Sequence, residues 1–144
     1  MKHLKKIILA FVCVFTVASL SAMAMDFDHA NVVTKAASSP LDGCTVSFDL
    51  NTRTGFATFG GSVTGDNTVT KSRVSVVVQK SVGSSWVSVP GTYVVNEDNS
   101  RGVDVSGSKY LEKGYYYRVQ TENTVWVGSK SYTELHYSAL EDYT

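Results

Sequence analysis

Of the residue types that build most active sites, metal centres and disulfide frameworks, this chain of 144 residues carries few: two cysteines, three histidines and two prolines. No stretch beyond the opening apolar run sustains the 3.6-residue apolar period of a helix, which argues against a helical bundle. There is no G-x-S-x-G elbow and no glycine-rich phosphate loop, so the commonest hydrolase and nucleotide-binding signatures are absent. Neither sign of charge dominates, with 13 basic against 13 acidic groups. That balance gives no electrostatic ground for binding nucleic acid or an anionic bilayer.

The two ends of the chain are unlike. Lys2, Lys5 and Lys6 form a basic start, an uncharged apolar run follows from Ile7 to Leu20, and Ala22-Met23-Ala24 supplies small residues at the two positions a signal peptidase reads. This three-part pattern is that of a secretory signal peptide over residues 1–24. The run falls short of the ~20 apolar residues that span a bilayer, so no membrane span is expected after cleavage. Cys13 lies inside the run without the small residue that precedes a lipidated cysteine, so a lipid anchor is not expected. Cleavage removes three lysines and leaves 10 basic against 13 acidic groups in a secreted, extracellular protein. Cys44 is then alone, and no intramolecular disulfide can close. Small exported domains commonly lean on such staples, whereas this one must rely on burial.

Residues 25–42 show no sustained period, and Ser38, Ser39, Pro40, Asp42 and Gly43 cluster as breakers. This reads as a flexible lead before a β-domain over residues 43–138, closed by a short acidic tail over residues 139–144. From Cys44 onward, Val, Thr, Tyr and Phe alternate with polar residues, and Gly, Asn, Asp and Ser interrupt them at short intervals. Such texture predicts short antiparallel strands. They fall over residues 44–50, 56–63, 69–80, 86–89, 92–96, 103–106, 115–122 and 125–138. Gly60 and Gly61 mark a bulge or a close backbone approach. Seven or eight short strands at this spacing call for an all-β sandwich of two sheets. Cys44 opens the alternation Cys44, Val46, Phe48, Leu50 and is expected as a small buried residue, with intermolecular pairing as the alternative.

One segment carries a resemblance. Leu111, Gly114 and Tyr117 stand three residues apart in Leu111-Glu-Lys-Gly-Tyr-Tyr-Tyr-Arg-Val119, and Val74, Val76 and Val78 are followed by Trp86 and Val89. These spacings resemble those of the fibronectin type III and related immunoglobulin-like modules, across roughly residues 44–138. The resemblance implies an immunoglobulin-like sandwich, for which about seven strands are usual. It makes Tyr117 a corner residue whose hydroxyl bonds an upstream backbone group, and gives Leu111, Gly114 and Trp86 structural roles. Where that family sets a tryptophan on its second strand, Ala57 and Phe59 stand here. The Trp…Gly-Tyr-Tyr-Tyr-Arg-Val pattern is also similar to small exported proteins of Gram-positive bacteria with no assigned activity. A sandwich hosts many unrelated functions, so the likeness implies no chemistry.

Candidate chemistry is thin. His29 lies in the lead, and His136 is expected on an outward strand face, too isolated for a general base. Asp26, Asp28 and His29, or Asp98, Asn99, Ser100 and Asp104 around Gly102, offer oxygen or imidazole ligands without a recognised metal spacing; neither a metal nor a cofactor is expected. The stronger lead is a surface. If Tyr117 points inward, Tyr116, Arg118 and Gln120 point outward. Adjacent strands are expected to add Gln79, Tyr132 and His136 to that face, along with Val77 and Glu134. Tyrosine, arginine and amide groups together suit recognition of an extracellular protein or a glycan. The expected function is therefore a secreted, non-enzymatic binding module. A bacteriocin-like secreted antagonist is the alternative, and an enzyme a distant third.

Overall fold

The computed structural model describes residues 39–144. The expected signal peptide and most of the expected lead lie outside the described residues. Among the described residues nine strands form in order: β1 (Leu41–Leu50), β2 (Phe56–Gly65), β3 (Lys71–Val82), β4 (Ser85–Ser88), β5 (Val94–Asp98), β6 (Gly102–Tyr110), β7 (Tyr115–Val127), β8 (Lys130–Tyr137) and β9 (Glu141–Tyr143). No helix among the described residues is long and apolar enough to cross a membrane.

The strands make two antiparallel sheets. One has the order β1-β2-β6; the other runs β4-β3-β7-β8. In the larger sheet β4 and β5 share one edge of β3, while β8 and β9 share the far edge of β7. The result is an all-β sandwich compatible with an immunoglobulin-like fold.

Alternation decides which side chains fill the space between the layers. Ala57, Phe59 and Val63 of β2 face Val74, Val76 and Val78 of β3 and Tyr117, Val119 and Val125 of β7, all buried. Cys44, Val46 and Phe48 are half-buried against this core and Leu50 is buried within it. At Gly61 the two layers come close together. A Cβ placed there would stand 2.7 Å from Thr121 Cγ2 and 3.3 Å from Val76 Cγ2, both on the opposite sheet. The absent side chain lets the layers meet.

Local chemistry sets the connections. Asn51 Oδ1 accepts from the backbone N–H groups of Arg53 and Thr54, and Gly55 takes φ +77° to complete the turn into β2. Leu111 is buried, Gly114 takes φ +105°, and Tyr117 donates its hydroxyl to the Glu112 carbonyl at 2.6 Å. That bond is the upstream backbone contact expected of a corner tyrosine.

Three expectations change. The final expected strand, residues 125–138, is not one strand. Gly128 and Ser129 form a two-residue turn, and Val127 pairs Lys130 across it. The expected acidic tail contributes β9, which pairs Tyr115, Tyr116 and Tyr117 and places Tyr143 against the core. The end of the expected lead is also engaged, since Leu41 is buried in β1 and the Pro40 carbonyl accepts from Asp66 N–H.

Candidate functional site

The outward face of the larger sheet follows from its register. Opposite one another stand Gln79 and Arg118, Val77 and Gln120, and Ser75 and Glu122 on β3 and β7, and beyond the ladder Tyr116 N–H donates to Ser81 Oγ at 3.2 Å. β8 continues two rows, with Gln120 opposite Tyr137 and Glu122 opposite Leu135. β4 adds Trp86 opposite Ser81.

Arg118 is the centre of this face. Its guanidinium carbon lies 4.3 Å from the Trp86 ring centroid and 4.3 Å from that of Tyr137, so the cation is packed against two aromatic faces. Each contact draws on the negative face of the ring and covers the guanidinium's weakly hydrated plane. Arg118 Nε donates to Gln79 Oε1 at 2.8 Å, and Gln79 Nε2 donates to Gln120 Oε1 at 2.6 Å. These partners are all neutral. Burial accordingly holds the Arg118 guanidinium below the usual arginine range. Around this cluster Tyr116 and Leu135 are 43% and 45% exposed. Towards the other end the face becomes charged: Lys71 lies 4.8 Å from the Trp126 ring centroid and pairs Glu97 at 2.7 Å, and Arg73 reaches Tyr93 Oη.

The residues expected on this face do not all reach it. Tyr116, Arg118, Gln120 and Gln79 share it. Tyr132 and His136 do not: Tyr132 pairs Val125, His136 pairs Thr121, and both partners face the core. Glu134, opposite the buried Asn123, follows them inward. The physical reason is the two-residue turn at Gly128-Ser129. It fixes the parity of β8 so that Leu135 and Tyr137 point out instead. Trp86, expected in a structural role, lies against Arg118 on the outer face.

The same inward turn of β8 creates a cluster that sequence reasoning missed. Cys44 of β1 meets Glu134 and His136 of β8, with one ligand atom from each lying within 4.8 Å of the others. All three residues are half-buried, and His136 Nε2 lies 3.4 Å from Glu134 Oε2. Burial first, and the nearby Glu134 second, push the Cys44 thiol up to about 11. At neutral pH it is therefore a thiol, and the thiolate on which a cysteine nucleophile depends is disfavoured. Beside the cluster, Asn123 is fully buried and donates Nδ2 to Thr121 Oγ1 at 3.0 Å. Its Oδ1 has no hydrogen-bond partner among the described residues. The turn signal at Gly128-Ser129 was the available clue, because it places Glu134 and His136 on the core side.

The Asp98–Asp104 loop is a network of turn contacts. Asp98 Oδ1 accepts from Asn99 N–H, Ser100 Oγ donates to the Gly102 carbonyl, and Asn96 Nδ2 donates to the Asp104 carbonyl. Asp26, Asp28 and His29 lie outside the described residues.

No protein-family model matches the chain, and no curated protein or solved structure matches it significantly.

Proposed function

We propose that this protein is a secreted, non-enzymatic interaction module of the immunoglobulin-like, fibronectin type III-like kind, and that it docks an extracellular protein through the outer face of its larger sheet. The reading of the module rests on the three-stranded sheet opposite β4-β3-β7-β8 and on the Tyr117 corner.

One observation carries the functional reading: Arg118 packed between Trp86 and Tyr137, with Tyr116 and Leu135 exposed beside it. Trp, Tyr and Arg are the residues that dominate binding energy at interfaces. Here the stacking and the Gln79 bond already immobilise the arginine, so little side-chain entropy remains to be lost on docking. Exposed aliphatic surface at Leu135 favours a protein over a glycan, whose hydroxyl groups gain nothing from it.

Pull-down with the full chain from the extracellular fraction of its source cells tests the reading, run in parallel with a glycan array. Tyr116→Ala and Arg118→Ala should each weaken a retained protein partner by about 30-fold, the ~2 kcal/mol of an interface hot spot. The double variant should abolish retention while keeping the wild-type circular dichroism. Retention that survives the double substitution overturns the face. Binding confined to the array replaces the protein with a glycan.

A further inference from the structure

β1 and β8 belong to different sheets, and no backbone ladder joins them. They nevertheless face one another across one side of the sandwich, where Cys44 meets Glu134 and His136 rather than a run of apolar side chains. We propose that these three residues are the protein ligands of a zinc site that ties the β1 side of one sheet to the β8 side of the other.

The donor set points to this class of ion. A thiolate and an imidazole select zinc-like ions over magnesium or calcium, which take oxygen. Three protein ligands leave one position of a tetrahedral zinc open to water. With bonds of about 2.3 Å to sulfur and 2.0–2.1 Å to nitrogen or oxygen, ligand atoms on such an ion stand roughly 3.3–3.6 Å apart. The present separations lie within 4.8 Å, a little wider than an occupied site. A zinc ion also balances the charge of one thiolate and one carboxylate, which removes the penalty of gathering anions in a half-buried seam.

A second observation supports the site independently. Asn123 Oδ1 is buried without a hydrogen-bond partner among the described residues, and Asn123 stands in cross-strand register with Glu134. A buried acceptor left unmet is costly, and water on the open position of an ion bound at Glu134 would be a donor on the same side of the sheet. Thr121, opposite His136, accepts from the Asn123 amide Nδ2 at 3.0 Å, which fixes that side chain.

The experiment uses the metal-free full chain with Zn²⁺, Co²⁺ and Ca²⁺ as probes. Calorimetry should show one Zn²⁺ per chain and no Ca²⁺ binding. Co²⁺ should give a thiolate charge-transfer band with tetrahedral visible bands. Cys44→Ser should abolish the charge-transfer band, and His136→Gln and Glu134→Gln should each weaken Zn²⁺ binding at least tenfold. Zinc should also raise the thermal midpoint of the wild type and not that of Cys44→Ser. Absence of stoichiometric binding, or binding undiminished in Cys44→Ser, overturns the site. If a variant does not fold, protection decides the matter in the wild type alone: Zn²⁺ must slow alkylation of Cys44, and an unchanged rate overturns the proposal. The cluster lies on the opposite side of β8 from Tyr137, so the fate of the interaction face does not depend on it.

Discussion

The Tyr117 hydroxyl donates to the Glu112 carbonyl oxygen across 2.6 Å, while its ring is 1% exposed in the core. One side chain thus packs between the sheets and ties the chain entering β7 to the connection before it. The buried ring and the single bond contribute separately, and two substitutions separate them. Tyr117→Phe keeps the ring and loses the bond, at an expected cost of about 1 kcal/mol, because the carbonyl of exposed Glu112 regains water. Tyr117→Ala should cost about 3–5 kcal/mol, the range for emptying an aromatic site. Urea unfolding with an unchanged slope measures both. A Tyr117→Phe loss as large as that of Tyr117→Ala would place the whole contribution in the hydrogen bond.

The residues that made the sandwich legible are those whose alternation is unambiguous. Val74, Val76 and Val78 against Ser75, Val77 and Gln79 leave little choice of face, and Leu111, Gly114 and Tyr117 fix the parity of β7 through the corner. β8 offered no such contrast. Tyr132, Glu134 and His136 are as plausible outside as Thr133, Leu135 and Tyr137, and only the turn at Gly128-Ser129 discriminates between them. The outer cluster was accordingly half-legible: Tyr116, Arg118, Gln120 and Gln79 could be placed, whereas Tyr137 and the contact of Trp86 with Arg118 required the register. The meeting of Cys44 with His136 is a product of layer closure, which no local pattern encodes. β9 escaped notice because three residues, Glu141-Asp-Tyr143, are too few to show a period.

The closing segment is part of the folded unit, and its removal should be felt. β9 pairs Tyr115–Tyr117, the Tyr143 carbonyl accepts from Gly114 N–H at 2.7 Å, and the Tyr143 ring packs on the core. A chain ending at Ser138 loses these backbone bonds, each contributing about 1 kcal/mol, together with the apolar burial of one ring. We expect a loss of about 2–4 kcal/mol in urea unfolding. An unchanged midpoint would show that β9 adds nothing to the folded unit.

The thiol of Cys44 gives a pH signature. Burial and the neighbouring Glu134 carboxylate both disfavour the thiolate, and the pKa rises to about 11. The folded state therefore holds this proton more tightly than the unfolded chain, whose thiol titrates near 8.5. The stabilisation is complete below that value and is lost as pH climbs to about 11. Since alkylation follows the thiolate fraction, the rate at Cys44 in the metal-free folded chain, read by peptide mapping to separate it from Cys13, should keep rising to about pH 11. Denaturant should bring the midpoint back near 8.5. Glu134→Gln removes the neighbouring charge and should lower the folded midpoint, though not to the unfolded value, because burial is the larger cause. A folded-state midpoint already at 8.5 would mean that water reaches the sulfur and that β1 and β8 do not close over it.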